Sequence, residues 1–389
     1  MLPFLTASAA FNFSFLAMAI LVPLYLRHLG YSLAAVGLVL AIPGLMQFIL
    51  RITSGILSDS WGSRRVMLLA FAATSAAGLP LMGPRVGLAG FVVAQVLNGV
   101  ARGTFWPPAQ TYASRTGDPS RSLGRFFSIT SVGSVLALFF SGALAQRAGF
   151  EVAFAVSAAL GLLCVGLSFT FPATGEVTGQ RRSFTELLRS MPRIAMRRPF
   201  VLAGVIAFLS STPNILASSF YPVLAVQLGF GMMLATAVVG MRSIGNIAGA
   251  NVYPSIIKRI GPRTITYVSV ALIGVTLLAI PLVRTPPLLV ADLLLSGIAG
   301  QTANLAYLWL VTENSVPEER GTALSVVGLW WTAAVFVVPP LFGVASDRLG
   351  LPTTFLLSGL VFGSMALVAI ATLSRSTSRG SLWLPGTGN

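Results

Sequence analysis

Two arginines lie in the middle of apolar runs of the sequence. Arg242 is at the centre of AVVGMRSIGNIAG (237–249), and Arg102 has a similar position in an earlier run. A cation near the centre of a bilayer costs about 2.5–3.5 kcal/mol on insertion scales, and such residues generally face a protein interior or a water-filled cavity. The planar guanidinium can hold a carboxylate through two parallel hydrogen bonds. The sequence therefore predicts that both arginines contact a negatively charged substrate.

A structural role for the same arginines stays open. Each guanidinium could instead satisfy backbone carbonyl groups at a helix kink. Pro107 and Pro108 follow Arg102 closely and favour such a kink. The structural alternative therefore has more weight at Arg102 than at Arg242.

Amide side chains share helix faces with the two arginines. Gln95 and Asn98 precede Arg102 by seven and four residues, and Asn246 follows Arg242 by four, so each set lies on one side of an α-helix. Other apolar runs contribute further amides. The predicted substrate-binding residues are Arg242, Arg102, Asn246, Asn98, Gln95, Gln47 and Asn304.

The acidic residues point to the sign of the substrate. None of the ten lies clearly in the middle of an apolar run; Asp292 is about a turn inside the tenth run, and Glu313 is at its other end. A cavity with two arginines and no central carboxylate attracts negative charge. The sequence thus predicts a small organic anion, such as a monocarboxylate, rather than a lipophilic cation.

The composition indicates which elements position these residues. The chain is 55% hydrophobic and 9% charged, whereas a soluble domain has about 25% charged residues. Runs of about 20 apolar residues predict transmembrane helices. Twelve occur, near 4–26, 33–57, 66–83, 87–112, 126–145, 152–172, 200–225, 232–256, 264–283, 287–312, 322–345 and 353–373. The first has no basic segment before it and is too long for a signal peptide, so we expect it to be retained. The predicted fold is an all-α polytopic membrane protein.

The net charge of +15 is explained by topology and requires no nucleic-acid partner. If the N-terminus is cytoplasmic, eighteen of the 25 basic residues fall on the cytoplasmic side and five on the outer side. This bias follows the positive-inside rule. It predicts a multi-pass protein of the cell's inner membrane with both termini in the cytoplasm.

The two halves of the chain repeat one plan. VPLYLRHLGYSLAAVG, from Val22, matches YPVLAVQLGFGMMLAT, from Tyr221, at a constant offset of 199, and a later match has an offset of 201. Because each half has six spans, its orientation is preserved, and the halves should be related by a pseudo-two-fold axis along the membrane normal. The predicted organisation is a six-helix bundle at 1–172, a cytoplasmic linker at 173–199, a second six-helix bundle at 200–374 and a cytoplasmic tail at 375–389.

The repeat does not conserve the two buried arginines. It places Pro43 opposite Arg242, and Gly300 opposite Arg102. Scaffold features recur in both halves, but these charges do not. Their asymmetry favours a role in binding over a role in the scaffold.

The segment GILSDSWGSRR (55–65), in the loop after the second span, has the pattern glycine, three residues, aspartate, and then a glycine followed by basic residues. With the duplication, the chain resembles the major facilitator superfamily over nearly its whole length. Ser60 and Ser63 replace basic residues of the pattern, and Lys258 replaces the aspartate in the second copy. The resemblance implies a conformational latch for one alternating-access state, although a simple charged turn is the alternative. The implied latch residues are Gly55, Asp59, Gly62, Arg64 and Arg65.

The resemblance implies a secondary transporter that works by alternating access, here on the predicted organic anion. It implies a monomer in the lipid bilayer and leaves a coupling proton or ion open. The chain contains neither the G-x-S-x-G nor the H-E-x-x-H signature of hydrolases, and its single cysteine and single histidine form no metal motif. We therefore expect neither an enzyme nor a bound cofactor.

Two other functions remain as alternatives. One is a proton-driven drug or metabolite efflux antiporter, which shares the latch motif. Gln95 stands four residues before Gly99, where such antiporters often carry an arginine, and the fifth span lacks their usual Gly-Pro pair. Both departures count against that alternative. The other is a membrane receptor that transports nothing.

Overall fold

The structure, a computed structural model, describes residues 1–83, 87–114, 119–171, 192–283, 285–315 and 320–375. The regular elements within these ranges are helices. In chain order they are α1 (Leu2–His28), α2 (Leu33–Trp61), α3 (Ser63–Gly78), α4 (Leu88–Ser114), α5 (Pro119–Ala148), α6 (Phe150–Ser168), α7 (Arg198–Gln227), α8 and α9 (the two arms of Met232–Ala279), α10 (Pro286–Glu313), α11 (Arg320–Leu349) and α12 (Leu351–Arg375).

One helical stretch contains two of the predicted spans. Met232–Ala279 runs for 48 residues but is interrupted at Gly261, where φ is 79°. The arm before this glycine (232–260) is α8, and the arm after it (262–279) is α9. Among the described residues, nine helices are long and apolar enough to cross a membrane if this stretch counts as one, and Leu351–Met365 is a shorter apolar helix. With the 16-residue α3, they confirm the predicted all-α polytopic fold of twelve helices.

Six glycines have a positive φ in the described backbone, and each lies at a turn between helices. A larger residue at these positions is strained, because the left-handed region brings its Cβ close to the backbone. The six form three pairs related by the sequence repeat, with φ between 79° and 90°: Gly30 with Gly229, Gly62 with Gly261, and Gly149 with Gly350. The same tight turns therefore recur in both halves of the chain.

The chain divides into two compact units. The first comprises Met1–Gln180, Ser218–Gly240 and Pro339–Gly343, and the second comprises Arg181–Ala217, Met241–Val338 and Val344–Asn389. Residues 173–191 of the predicted linker and 376–389 of the predicted tail lie outside the described residues. The predicted boundaries at 172, 199 and 374 stay predictions.

The core of the first unit is aromatic. α1 packs against α5 and α6, and α4 packs against α2 and α3. The Ser14 hydroxyl on α1 donates to the Ser157 carbonyl on α6 over 3.1 Å, which satisfies a polar group at a buried helix contact. The largest fully buried side chains of the core cluster are Phe4, Phe11, Phe71, Phe105, Tyr112 and Phe126.

The segment Ser218–Gly240 packs against α5 within the first unit. The side-chain Oε1 of Gln146, at the end of α5, accepts a hydrogen bond of 2.8 Å from the backbone N–H of Met233 on α8. A Cβ atom on Gly142 would lie 2.7 Å from the carbonyl oxygen of Met232. The missing side chain of Gly142 therefore permits a close contact between α5 and the start of α8.

Small residues also bring the helices of the second unit together. A Cβ atom on Gly249 of α8 would lie 2.9 Å from the carbonyl oxygen of Ile298 on α10. The hydroxyls of Ser269 on α9 and Thr302 on α10 are 2.7 Å apart and form a buried hydrogen bond. α10 is thereby held between α8 and α9.

Candidate functional site

A polar face of α4 forms the candidate site of the first unit. Gln95 and Asn98 are 1% and 2% exposed, and Nδ2 of Asn98 donates a hydrogen bond of 3.3 Å to Oε1 of Gln95. Arg102 follows one turn later on the same face. The predicted spacing thus brings two of the predicted amides into direct contact beside a guanidinium.

The packing of α4 fixes where this face points. On one side, a Cβ atom on Gly99 would lie 2.8 Å from Cα of Pro43, so this edge lies against α2. On the other side, Phe105 stacks on Phe11 of α1, with ring centroids 3.9 Å apart. At 100° per residue, Arg102 lies between these two edges. The polar face therefore points between α1 and α2.

The Arg102 guanidinium lies over an aromatic ring. Its Cζ atom is 4.8 Å from the ring centroid of Phe15 on α1, which is cation–π distance. Trp106 follows Arg102 by one turn on α4 and is half-buried. The site of the first unit thus combines amides, one guanidinium and aromatic surfaces.

Two more amides of the first unit have buried polar atoms without hydrogen-bond partners. They are Nδ2 of Asn12 on α1, a donor, and Oε1 of Gln47 on α2, an acceptor; the two residues are 5% and 6% exposed. Gln47 lies against Gly103 of α4, and Asn12 adjoins Phe11, which stacks on the same part of α4. Buried amides normally find partners, so this pair offers one free donor and one free acceptor. The sequence predicted Gln47 as a binding residue, whereas Asn12 was not among the predicted binding residues.

Arg242 forms the candidate site of the second unit. It is 3% exposed, and its Nη1 donates a hydrogen bond of 2.7 Å to Oδ1 of Asn214 on α7. A Cβ atom on Gly300 of α10 would lie 2.8 Å from Nη2. The guanidinium therefore occupies a space between α7 and α10 that exists because residue 300 has no side chain.

The structure also describes the other two predicted residues of the second unit. Asn246 follows Arg242 by one turn on α8, and Asn304 follows Gly300 by one turn on α10; both are half-buried. Asn214, the observed partner, was not among the predicted binding residues. Only the helix packing reveals its role, because residues 214 and 242 are distant in sequence.

The repeat makes the two sites complementary in composition. Positions 43 and 102 of the first unit correspond to positions 242 and 300 of the second. In the first unit the arginine is Arg102 and the other position is Pro43; in the second the arginine is Arg242 and the other is Gly300. Each unit thus carries one guanidinium at this pair of positions, supplied by a different helix of the repeat. The described residues of both units contain no group of three or more His, Cys, Asp or Glu side chains that could hold a metal ion.

Comparison with known proteins places this architecture in a family. A sequence profile of the Major Facilitator Superfamily matches residues 3–339. The chain belongs to this superfamily. It is accordingly a multi-pass membrane protein of a transporter family.

Two of the proteins that this chain resembles, NepI and NupG, are described as transporting nucleosides. The chain is 26% identical over 303 residues to the purine ribonucleoside efflux pump NepI of Escherichia coli O127:H6 (strain E2348/69 / EPEC), a match that covers 72% of this chain and 70% of the pump; NepI of Escherichia coli (strain K12) matches to the same extent. The solved structure of the nucleoside transporter NupG superposes with a TM-score of 0.82 at 15% identity, covering 95% of this chain and 99% of NupG.

Other solved transporters have the same fold. A POT family transporter in complex with 5-aminolevulinic acid gives a TM-score of 0.79 at 12% identity, with 96% of each chain covered. At these identities the solved structures establish the superfamily fold and nothing about the substrate.

The loop that carries the superfamily motif is partly described. Gly62, with φ of 84°, ends α2 and begins α3. Nη2 of Arg64 donates a hydrogen bond of 2.9 Å to the carbonyl oxygen of Phe169, just after the end of α6, whereas Arg65 is exposed. Gly55 and Asp59 lie in the last turns of α2, and their side chains are outside the described part of the structure. Arg64 thus ties the motif loop to the end of α6; the latch itself stays a prediction.

Proposed function

We propose that this protein is a secondary active transporter that exports a purine ribonucleoside by alternating access. The observation that carries the proposal is the set of buried amides beside an arginine and aromatic rings in the first unit. The sequence match to a purine ribonucleoside efflux pump supports the same substrate class.

The chemistry of the first unit suits a purine. Amide side chains carry a donor and an acceptor in one plane, and they pair with the two-atom hydrogen-bonding edges of purine bases. Asn12 and Gln47 have one unpartnered donor and one unpartnered acceptor. Phe15 and Trp106 supply aromatic surface, and stacking of a base on such surface contributes about 1–3 kcal/mol. A neutral ligand of this kind needs hydrogen bonds and stacking more than a counter-charge.

In this proposal, the guanidinium of Arg242 donates hydrogen bonds to the nucleoside. Its guanidinium is fixed by Asn214 and lies in the space above Gly300. A guanidinium donates in a planar fork, which matches the carbonyl oxygen and ring nitrogen of a purine as well as it matches a carboxylate. Arg242 can therefore bind a nucleoside without requiring a net negative charge.

A small organic anion, such as a monocarboxylate, is the second candidate substrate. The observation that favours it is the burial of Arg242, which is 3% exposed in a span without a neighbouring carboxylate. In that case Arg242 binds the carboxylate directly. A proton-driven drug or metabolite antiporter and a non-transporting receptor are the remaining alternatives.

The proposal includes the topology. We place the six-helix bundles at 1–172 and 200–374, the linker at 173–199, and both termini in the cytoplasm of the inner-membrane protein. The charge bias across the loops supports this orientation. We further propose that the protein acts as a monomer.

Counterflow in proteoliposomes tests the proposed substrate. Vesicles preloaded with unlabelled inosine, with lactate or with neither are diluted into labelled inosine, and the experiment is repeated with labelled lactate outside. The proposal expects accumulation of inosine only in inosine-loaded vesicles. Lactate counterflow without inosine counterflow would indicate that the transported substrate is the anion. If neither solute shows counterflow in a protein that binds inosine, the result would favour a non-transporting receptor.

A further inference from the structure

The sequence repeat pairs two aromatic side chains of the first unit with asparagines in the second. The offset of 199 that relates the first helix of each half pairs Phe15 of α1 with Asn214 of α7. The offset between α4 and α10 is 198, so Trp106 of α4 corresponds to Asn304 of α10. The second unit therefore has amides at two positions where the first unit has aromatic rings.

These amides belong to a polar face of the second unit. On α10, Ser296 and Asn304 lie one turn before and one turn after Gly300, so all three positions follow one side of the helix. α8 passes close to this side, since a Cβ atom on Gly297 would lie 2.9 Å from the backbone nitrogen of Asn246. The polar face of α8 and α10 consists of Arg242, Asn246, Ser296 and Asn304.

Ser296 has a hydroxyl that is suited to a ligand. It is fully buried, and its Oγ atom has no hydrogen-bond partner among the residues that the structure describes. Thr302, on another side of α10, differs in that its hydroxyl is hydrogen-bonded to that of Ser269 over 2.7 Å. Buried hydroxyls normally have partners. The Ser296 hydroxyl can therefore both donate to and accept from a ligand that reaches the polar face, where Asn246 and Asn304 are half-buried.

The polar face matches neighbouring hydroxyl groups better than a carboxylate or an aromatic base. Each amide offers a carbonyl acceptor and an NH₂ donor, and each ligand hydroxyl likewise donates and accepts. A carboxylate only accepts, so it would leave the carbonyl oxygens of Asn246 and Asn304 without donors. A base would lack the rings that Phe15 and Trp106 provide in the first unit. The chemistry thus favours the cis-diol of a ribose.

We propose that the polar face of α8 and α10 binds the ribose hydroxyls of the substrate, and that Ser296 and Asn304 make the protein specific for ribonucleosides. The inference rests on the proposed transport of a nucleoside. The 2′ and 3′ hydroxyls exchange hydrogen bonds with the two asparagines and with the Ser296 hydroxyl. A site that hydrogen-bonds a substrate hydroxyl discriminates against the analogue that lacks it, because its own buried polar groups are then unpaired. This discrimination corresponds to about five- to a hundredfold in affinity.

Equilibrium binding of three nucleosides to the purified protein tests the proposal. The wild type should bind inosine more tightly than 2′-deoxyinosine or 3′-deoxyinosine by the factor above. Ser296→Ala and Asn304→Leu should lower the affinity for inosine but leave the affinity for at least one deoxy analogue nearly unchanged, so the preference for ribose shrinks. Equal affinity for all three nucleosides in the wild type, or an undiminished preference in both variants, would overturn the proposal.

Gln47→Leu is the matched control, because it removes an amide from the first unit. It should weaken the binding of inosine and of 2′-deoxyinosine by the same factor and leave the ribose preference intact. If Gln47→Leu removes that preference as completely as Ser296→Ala does, the assignment of the ribose to the polar face is wrong.

The melting temperature without ligand separates binding from folding at Ser296. Alanine removes the unsatisfied hydroxyl and has the higher helix propensity. We therefore expect Ser296→Ala to melt no lower than the wild type while it loses ribose preference. A lower melting temperature with an unchanged preference would assign Ser296 to the packing of α10 and overturn its role in specificity.

A comparison of pyrimidine nucleosides distinguishes this inference from the proposed purine substrate. If the wild type binds no purine ribonucleoside, the proposed function fails, and uridine and 2′-deoxyuridine take the place of the inosine pair. A preference for uridine that Ser296→Ala reduces would uphold the ribose site. Equal binding of the two, or binding of neither, would overturn it.

Discussion

The guanidinium of Arg242 lies over Gly300, where a Cβ atom would come within 2.8 Å of Nη2. The two residues are on α8 and α10, and Asn214 of α7 holds the guanidinium from a third helix. The repeat counterpart of Gly300 is Arg102. In the second unit, the glycine at this position therefore leaves room for the guanidinium that α8 supplies. In the first unit, the corresponding position itself carries a guanidinium, that of Arg102.

Replacement of Gly300 by alanine should displace the Arg242 guanidinium. The added methyl group would lie 2.8 Å from Nη2, so the end of the arginine side chain must shift away from residue 300, which disturbs its hydrogen bond to Asn214. Loss of a charge-assisted contact costs about 1.5–3 kcal/mol, which corresponds to about ten- to a hundredfold in affinity. We expect Gly300→Ala to weaken inosine binding to this extent, measured by scintillation proximity with labelled inosine.

Gly363→Ala is the matched control for this substitution. Gly363 lies within α12, and a Cβ atom there meets nothing within 4 Å. Alanine stabilises a helix by about 0.5–1 kcal/mol relative to glycine. Gly363→Ala should therefore raise the melting temperature slightly and leave binding unchanged. Equal affinity in Gly300→Ala and Gly363→Ala would show that Arg242 does not contact the ligand.

Charge and hydrogen-bonding geometry can be separated at Arg242. Lysine keeps the charge but loses the planar fork, whereas glutamine loses the charge. For an anionic substrate, Arg242→Lys should weaken binding less than Arg242→Gln. For a purine ribonucleoside, which is held by the fork, we expect both substitutions to weaken inosine binding similarly. Isothermal titration of both variants provides the comparison, and wild-type affinity in Arg242→Gln would make the residue structural.

The contact between Arg102 and Phe15 should contribute to the site of the first unit. Phe15→Leu keeps an apolar side chain but removes the ring 4.8 Å from the guanidinium. A cation–π contact contributes about 0.5–2 kcal/mol, depending on its desolvation. We expect inosine affinity to fall in Phe15→Leu and to be largely retained in Phe15→Tyr, which preserves the ring. A loss of thermal stability in Phe15→Leu with unchanged affinity would assign the ring to folding alone.

The close contact at Gly142 gives a prediction about alternating access. A methyl group there would press on Met232 of α8, so Gly142→Ala should favour a state in which α5 and the start of α8 separate. Ser141, which is 1% exposed, can be changed to cysteine in a background that lacks Cys164. Maleimide labelling at position 141 should then be faster with Gly142→Ala.

Gly166→Ala is the control for that experiment, because a Cβ atom at Gly166 meets nothing within 4 Å. Labelling at position 141 should not change in this variant. Equal labelling rates in Gly142→Ala and Gly166→Ala would indicate that the contact between α5 and α8 does not open during the transport cycle.

The sequence predicted those features of the fold that depend on local patterns. Apolar run lengths predicted the helices, and the repeat related the glycines that turn the chain, such as Gly62 and Gly261. The face of α4 was also predictable, because helical spacing alone brings Gln95, Asn98 and Arg102 to one side.

The sequence could not predict contacts that depend on how helices pack. The bond between Arg242 and Asn214 joins two helices whose relative rotation no local pattern specifies. The ring of Phe15 beneath Arg102 is a contact of the same kind. Asp292 lies only a turn or so inside its run, so its burial depends on neighbouring helices. Because Arg242 and Arg102 have these partners within the protein, two arginines in the spans do not by themselves require an anionic substrate.

The most direct test of the proposed function is equilibrium binding of labelled inosine to the purified protein, with unlabelled competitors. Our account predicts that guanosine displaces inosine and that lactate does not. It also predicts that Gln47→Leu weakens inosine binding by about two- to tenfold, the effect of losing one neutral hydrogen bond of about 0.5–1.5 kcal/mol. Binding of lactate in the absence of any inosine binding, or unchanged inosine affinity in Gln47→Leu, would contradict the account.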